Sequence, residues 1–405
     1  MADGDTVWLL ISAALVMLMT PALALFYGGM VQGKNVLSTF MHSFFSLGLV
    51  TIQFAVVGYT LAFGDSWNGI IGGFNLFALD GLSQTSMHGS VPELAFFAYQ
   101  CMFAVIAPAL ISGAYAERLK FSAYVLFSLG WTTLVYDPIA HWSWAPGGWL
   151  MKLGAIDYAG GTVVHLSSGI SALVVAIVLG KRRGYPSVRH PPHDLTMTTI
   201  GAGLLWFGWF GFNAGGAGAN GTAALALVNT HLAAGAAALT WCIVEGSRIK
   251  KCTMLGFASG LVAGLVAITP AAGFVSPMAA IGIGCAAGAI CYGAVLAKAK
   301  LGYDDALDAF GVHGVGGATG ALLTGVFARA ALNGGNGGGL SLLGKQAIGI
   351  AAAGAWAAVV TFVLLKLIDL TVGLRVDQEA EHDGLDGVLH GESAYGSPGS
   401  VAHGA

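Results

Sequence analysis

The sequence predicts an all-α membrane protein of eleven transmembrane helices, and three observations carry that prediction. Of 405 residues, 56% are hydrophobic and only 9% charged, whereas a soluble domain carries about 25% charged residues. The apolar residues fall into eleven stretches, most of them near the ~20 residues that cross a bilayer core. Of the 17 Lys and Arg, fourteen fall to one side of those stretches and only Lys152, Arg329 and Lys345 to the other.

The first stretch, 7–29, follows Asp3 and Asp5 rather than a basic flank and runs too long for a cleavable signal, so it reads as a spanning helix. Four more spans follow at 38–63, 94–113, 122–140 and 158–179. A second set lies at 196–213, 222–244, 254–269, 278–297 and 309–328, and the last span is 346–373. The eighth is the shortest, and the last is long enough to tilt or to project into water. The 62 glycines fall within the apolar stretches, where small side chains let helices approach closely. The five cysteines show no metal-ligand spacing and read as small packing residues.

The basic majority, which includes Lys34, Arg118, Arg189 and the Lys181-Arg182-Arg183 run, marks the cytoplasmic side. The N-terminus is then outside and the C-terminus inside. An odd count makes spans 1–5 and 6–10 two five-helix halves of opposite orientation, with a long final helix added. Inverted repeats place a site at their interface near mid-membrane.

Two histidines fit that place: His165 in span 5, entered from outside, and His313 in span 10, entered from inside. At 1.5 Å per residue each is roughly 10 Å from its own surface of a ~30 Å core. An ionisable ring at that depth normally faces the bundle interior or a wet path, so the two are expected to meet near the midplane.

Two neutral imidazoles in contact can share one hydrogen bond and still offer a nitrogen each to a small polar solute. Apolar walls would disfavour a bare cation there. Zinc generally needs at least three protein ligands, and no further carboxylate or thiolate stands at useful spacing; bis-histidine haem stays open from sequence alone. Phe103, Trp142, Trp144, Trp209 and Phe212 fall towards the outer ends of the spans. They fit an interfacial aromatic belt or a cation–π cup. Asp157 opens span 5 as an N-cap, and its charge would also lie beside an arriving cation.

Seven blocks in order then resemble one family, the Amt/MEP/Rh ammonium transporters, on the bacterial Amt side. They are Ala24–Gly29, Gly33-Lys34-Asn35, Ala116-Glu117-Arg118, Asp157 through His165, Gly208 through Gly215, Thr269 through Gly273, and Asp308 through Gly314. The resemblance covers essentially the whole chain. It implies eleven spans, an inverted repeat, a homotrimer with one path per subunit, and a multi-pass protein of the inner (plasma) membrane serving nitrogen metabolism. It makes His165 and His313 the twin histidines of a pore and Phe103 with Phe212 a stacked gate. Trp144 and Phe103 become walls of an external ammonium-recruitment site, with Asp157 supporting it. Gly216 stands where many members carry a serine hydroxyl.

Residues 1–374 would form the transporter domain and 375–405 a cytoplasmic regulatory tail. Arg375, Gly384, Leu385, Asp386 and Tyr395 of that tail match the family's docking region for a PII protein of the GlnK type. The tail's acidic side chains are expected to meet Arg118, Lys120 or the Lys181-Arg182-Arg183 run. No nucleophile–base set supports an enzyme, and no cofactor, metal or nucleic-acid partner is expected. Two alternatives stay open: an ammonium sensor of the same fold acting through a signalling partner, and an Rh-like neutral gas facilitator.

Overall fold

The computed structural model describes residues 3–395 other than 189, 333 and 336. Arg189 of the basic majority, and residues 396–405 of the expected tail, lie outside the described residues. Helices occupy each of the apolar stretches: α1 (Asp3–Met30), α2 (Gly33–Phe63), α3 (Glu93–Tyr115), α4 (121–144), α5 (Gly161–Leu179) and α6 (Leu195–Ala214). They continue as α7 (Gly221–Ile249), α8 (Met254–Ile268), α9 (Pro277–Leu301), α10 (Phe310–Phe327) and α11 (Leu340–Thr371). Among the described residues, nine of these helices are long and apolar enough to cross a bilayer. The other two are α8, apolar but 15 residues long, and α4, whose apolar run is interrupted by Asp137 and Pro138. The protein is an all-α membrane protein.

Local chemistry fixes the helix starts. Asp194, Asn220, Thr253 and Ser276 each accept a backbone N–H from the first turn of α6, α7, α8 and α9 respectively. Such caps stabilise a helix by about 1 kcal/mol each. Pro277 follows Ser276 at the first position of α9, where a missing N–H costs nothing.

Small residues set the helix crossings. Helices α1 and α6 pack along their lengths, and α5 and α10 cross where the opening turn of each meets the other. A Cβ on Gly201 would lie 2.3 Å from the Phe26 nitrogen, and one on Gly169 would lie 2.0 Å from the Gly314 nitrogen. Only glycine permits either approach. Both close approaches thus join helices five places apart in the chain order.

Consecutive helices run in opposite directions, so alternate loops gather at two faces. At one, Asp5 accepts from Ser90 at 2.9 Å and from the Ala219 nitrogen at 2.8 Å; we call this the N-terminal face. At the other, the basic face, Glu117 accepts from the Gln32 nitrogen at 2.9 Å and Arg182 pairs with Asp304 at 2.9 Å. Two short hairpins, Ser66–Trp67 with Ile71–Gly72 and Met87–His88 with Val91–Pro92, fill the α2–α3 loop.

The cysteines depart in part from the packing role expected of all five. Cys101 and Cys291 are buried, but Cys242 and Cys252 are joined by a disulfide, their Cα atoms 5.0 Å apart.

Candidate functional site: a buried ring column between two aspartate-capped helix starts

Each histidine stands eight residues after an aspartate, His165 after Asp157 and His313 after Asp305. The Asp157 carboxylate accepts the backbone N–H groups of Gly160, Gly161, Thr162 and Val163 at 2.7–3.0 Å. Asp305 accepts those of Ala309 and Phe310 at 3.1 and 2.8 Å. Both helices then open with a π turn, Gly161–Leu166 and Phe310–Gly314. Such wide turns recur at functional sites, and here each carries the histidine. Gly160, at φ 109°, turns the chain into α5; Asp308, at φ 63°, does so for α10, a conformation that an L residue adopts only when its surroundings impose it.

The α5–α10 crossing brings the two rings together. Their centroids lie 5.3 Å apart with planes at 19°, and the side chains are 1% and 3% exposed. No hydrogen bond joins them in this arrangement, so the bond that two imidazoles in contact can share is not formed here. The near-parallel planes set ring beside ring, and neither nitrogen of His165 nor Nδ1 of His313 has a partner among the described residues. Trp209 stacks on His165 at 5.2 Å, held by its indole N–H donating to Thr269 at 2.9 Å.

Aromatic rings continue the column towards the N-terminal face. Phe212 lies 5.8 Å from His165, Phe103 stacks on Phe212 at 4.2 Å, and Trp144 meets Phe103 edge-on at 5.9 Å. The Trp144 indole donates to the Asp157 carbonyl at 2.9 Å, so the outermost ring is fixed to the start of α5. Above Phe103 and Trp144 opens a cavity of about 370 Å³ that Asp5, Gln100, Tyr158 and Gly216 also line. A Cβ on Gly216 would meet nothing nearer than 3.5 Å, so a side chain fits there.

At the basic face, loops from both halves converge on a buried charge cluster. Arg182 pairs with Glu117 at 2.8 Å and with both oxygens of Asp304 at 2.9 and 3.0 Å. Burial alone would raise both carboxyls, but the Arg182 guanidinium and nearby N–H donors hold them below the usual carboxylate range. Arg118 is fully buried and donates to the carbonyls of Gly180, Ala116 and Asp304. Burial lowers it to about 10, with Asp304 opposing. Burial lifts Asp305 to about 6, against the pull of Lys298.

The chain after α11 lies across this face. Arg375 bridges to Leu119 and pairs with Glu381 at 2.6 Å. Two short helices follow, α12 (Gln378–Asp383) and α13 (Leu385–His390). Between them Gly384, at φ 108°, lies so close that a Cβ would stand 2.6 Å from that of Lys34. Asn35 accepts from the Leu385 nitrogen and Asp386 from the Ser38 nitrogen, both at 2.8 Å. Tyr395 bonds His193 at 2.8 Å.

The comparisons with known proteins agree along the chain. The Ammonium Transporter Family profile matches residues 7–395. An ammonium transporter of Bacillus subtilis is 51% identical over 404 residues, covering 98% of this chain and 99% of that protein. The chain belongs to the ammonium transporter family. Ammonium transporter Amt1 of Archaeoglobus fulgidus is 45% identical, covering 98% of this chain and all of the relative. Among solved structures, Saccharomyces cerevisiae Mep2 superposes with a TM-score of 0.87 at 38% identity, covering 93% of this chain and 88% of that one. A sensor Amt protein gives 0.90 at 31% identity, covering 96% and 98%.

Within this family member, the ring residues singled out from sequence, Phe103, Trp144, His165, Phe212 and His313, form one column, and Gly216 lines the cavity above it. Asp157 stands apart: its carboxylate is taken up by four backbone N–H groups, and it is not among the cavity-lining residues. The tail residues gather at the basic face, and of the partners expected for the acids Arg183 is met, through its backbone nitrogen, while Arg118 and Lys120 are not. Glu381 meets Arg375 and the Arg183 nitrogen, and Asp386 meets Ser38. The reason is that Arg118 and Lys120 already donate to carbonyls. Sequence reading missed Gln100, whose side-chain oxygen is buried without a partner, and Asp305. The signal for Asp305 was available, since the aspartate-to-histidine spacing is the same in both halves.

Proposed function

We propose that the chain takes ammonium from the N-terminal face, read as outside, and delivers ammonia to the cytoplasm at the basic face. The observation that carries this reading is the unbroken ring column, Trp144–Phe103–Phe212–His165–His313, between a polar cavity and the bundle centre. In the cavity, Trp144 and Phe103 offer ring faces to a cation, worth ~0.5–2 kcal/mol per good contact, and Gln100 and Tyr158 offer oxygens that replace part of its hydration. Past the Phe103–Phe212 pair come the Trp209 ring and the two imidazoles, three of whose four nitrogens are buried without a partner among the described residues. A full charge there would cost several kcal/mol or more, so the proton leaves at or above the histidines and neutral ammonia crosses. The protein works as a homotrimer with one path per subunit. The tail from residue 375 acts as a regulatory segment for a PII-type partner.

The test is ammonium uptake in a strain lacking its own uptake system. His165→Ala and His313→Ala should each remove most uptake while the trimer stays folded, and the double variant should be little worse, because the unit is already broken. Strictly additive losses, or full activity in both singles, would sink the shared site. Deletion after Gly373 should leave a folded trimer that transports poorly and no longer retains the host PII protein in a pull-down.

The likeness to a sensor Amt protein favours one second reading, ammonium sensing through a partner. That reading gives no uptake in the same strain, with ammonium binding retained at the Trp144 cavity.

A further inference from the structure

The turn joining α7 to α8 carries a pair of thiol residues that transport does not use. Cys242 is half-buried near the end of α7 and Cys252 is exposed in the turn. Their Cα atoms lie 5.0 Å apart across ten residues, within the roughly 4.4–6.8 Å that a disulfide spans. Other contacts hold this turn closed without the sulfurs. Lys250 adopts φ 61° and returns its N–H to the Gly246 carbonyl at 2.9 Å. Glu245 accepts from the Thr253 nitrogen and hydroxyl at 2.9 and 3.0 Å, and Thr253 caps α8 at the Gly256 nitrogen.

Arg248, Lys250 and Lys251 share the turn. Nearby positive charge favours the thiolate, which is the reactive form. By the orientation proposed above, on which this inference rests, the turn faces the cytoplasm, where thiols are kept reduced and disulfides form transiently. An accessible thiol beside a second one that can resolve it is the arrangement of a redox-responsive pair.

We propose that Cys242 and Cys252, bridged in this structure, form a reversible oxidative modification site, a dithiol at rest in the reducing cytoplasm and the observed disulfide under peroxide. The Cys252 thiolate attacks one peroxide oxygen, breaking the O–O bond and giving a sulfenic acid and, after protonation, water. The Cys242 sulfur then displaces the sulfenic oxygen as a second water. Two electrons pass from the thiols to the peroxide, and a cellular dithiol or glutathione returns them. The bridge pins the start of α8, and α8 packs against both histidine-bearing turns.

The test uses the full-length protein in host cells, alkylated with a membrane-permeant maleimide and mapped by peptide mass. Both cysteines should be alkylated at rest, most pairs should be bridged after a hydrogen peroxide pulse, and the thiols should return on recovery. Buried Cys101 and Cys291 should not change. In Cys242→Ser, dimedone should trap a sulfenic acid at Cys252; in Cys252→Ser, oxidation at Cys242 should slow about tenfold, as expected for the less accessible thiol. A pair that stays alkylatable under peroxide overturns the proposal. So does a pair already bridged at rest, and a membrane-impermeant maleimide applied after reduction separates the causes. Labelling from outside means that the orientation has failed, whereas protection means that the orientation stands and the bridge is permanent.

Discussion

At the start of α5, Asp157 gathers four backbone N–H groups and makes no ion pair among the described residues. At the start of α10, Asp305 gathers two, while Lys298 donates to its backbone carbonyl at 2.7 Å and pairs with Asp308 at 2.5 Å. Both aspartates oppose the positive end of a helix, and both lead through a π turn to a histidine. The difference is the fixed cation. Lys298 beside the α10 start is answered by Asp308 and by the nearby Asp305 carboxyl, so that end of the scaffold carries a fixed ion-pair cluster. Asp157 has no such pair among the described residues, although Lys345 lies near Gly154 ahead of it, and its face holds the aromatic cavity. Two similar scaffolds thus stand in different electrostatic surroundings.

Replacing each aspartate tests this asymmetry most severely. Asp157→Ala orphans four N–H groups and should cost on the order of 3–5 kcal/mol, since an unsatisfied buried donor costs ~1–3 kcal/mol and the groups relax together. Asp305→Ala should cost about 1–2 kcal/mol, the range of an ordinary cap. Thermal midpoints of the trimer in detergent compare the two; equal losses would erase the distinction.

Next in size is a pH effect confined to the α10 side. Asp305 is raised to about 6, above the ~3.9 of an unfolded aspartate, so the folded state holds its proton more tightly. Its contribution to stability is fully present below about pH 4 and is lost as pH rises through 6, a change of roughly 2–3 kcal/mol. The stability of Asp305→Asn relative to the native protein should therefore improve between pH 4 and 6. A difference that stays flat over that window would show that Asp305 titrates as an ordinary carboxyl.

Smaller effects belong to the cavity. Trp144→Ala should raise the half-saturating ammonium concentration several-fold, consistent with one cation–π contact, with less effect on maximal rate. Gly216→Ser should lower it by a few-fold, the worth of one added acceptor, because a side chain fits at that position. Unchanged concentration dependence in both would return Trp144 to an interfacial role.

The sequence made the helices legible because bilayer length and apolar runs leave few alternatives, and the expected stretches match the observed helices closely. The histidine pair was legible because an ionisable ring at that depth needs a reason. The π turns were not, since one extra residue in a turn leaves no periodic trace over five or six positions. Whether the two rings share a hydrogen bond depends on ring rotation, which no spacing encodes. The tail's partners were hidden for a different reason. Charge matching pointed to Arg118, Lys120 or the Lys181-Arg182-Arg183 run, and only the packed structure reveals that the first two already serve carbonyls while Arg183 answers Glu381 through its backbone.

The buried cluster at Arg182 has a consequence for how the chain is made. Glu117 precedes Arg182 by 65 residues, but Asp304 follows it by 122. At about 5–20 residues per second, Arg182 waits on the order of ten seconds after synthesis with a single carboxylate to answer its charge. Its second acceptor arrives just before α10, the helix that brings in His313. Ribosome, translocon and lipid must tolerate that partly answered guanidinium while the second half is still being threaded. The cluster therefore cannot close until the loop that leads into α10 has been made.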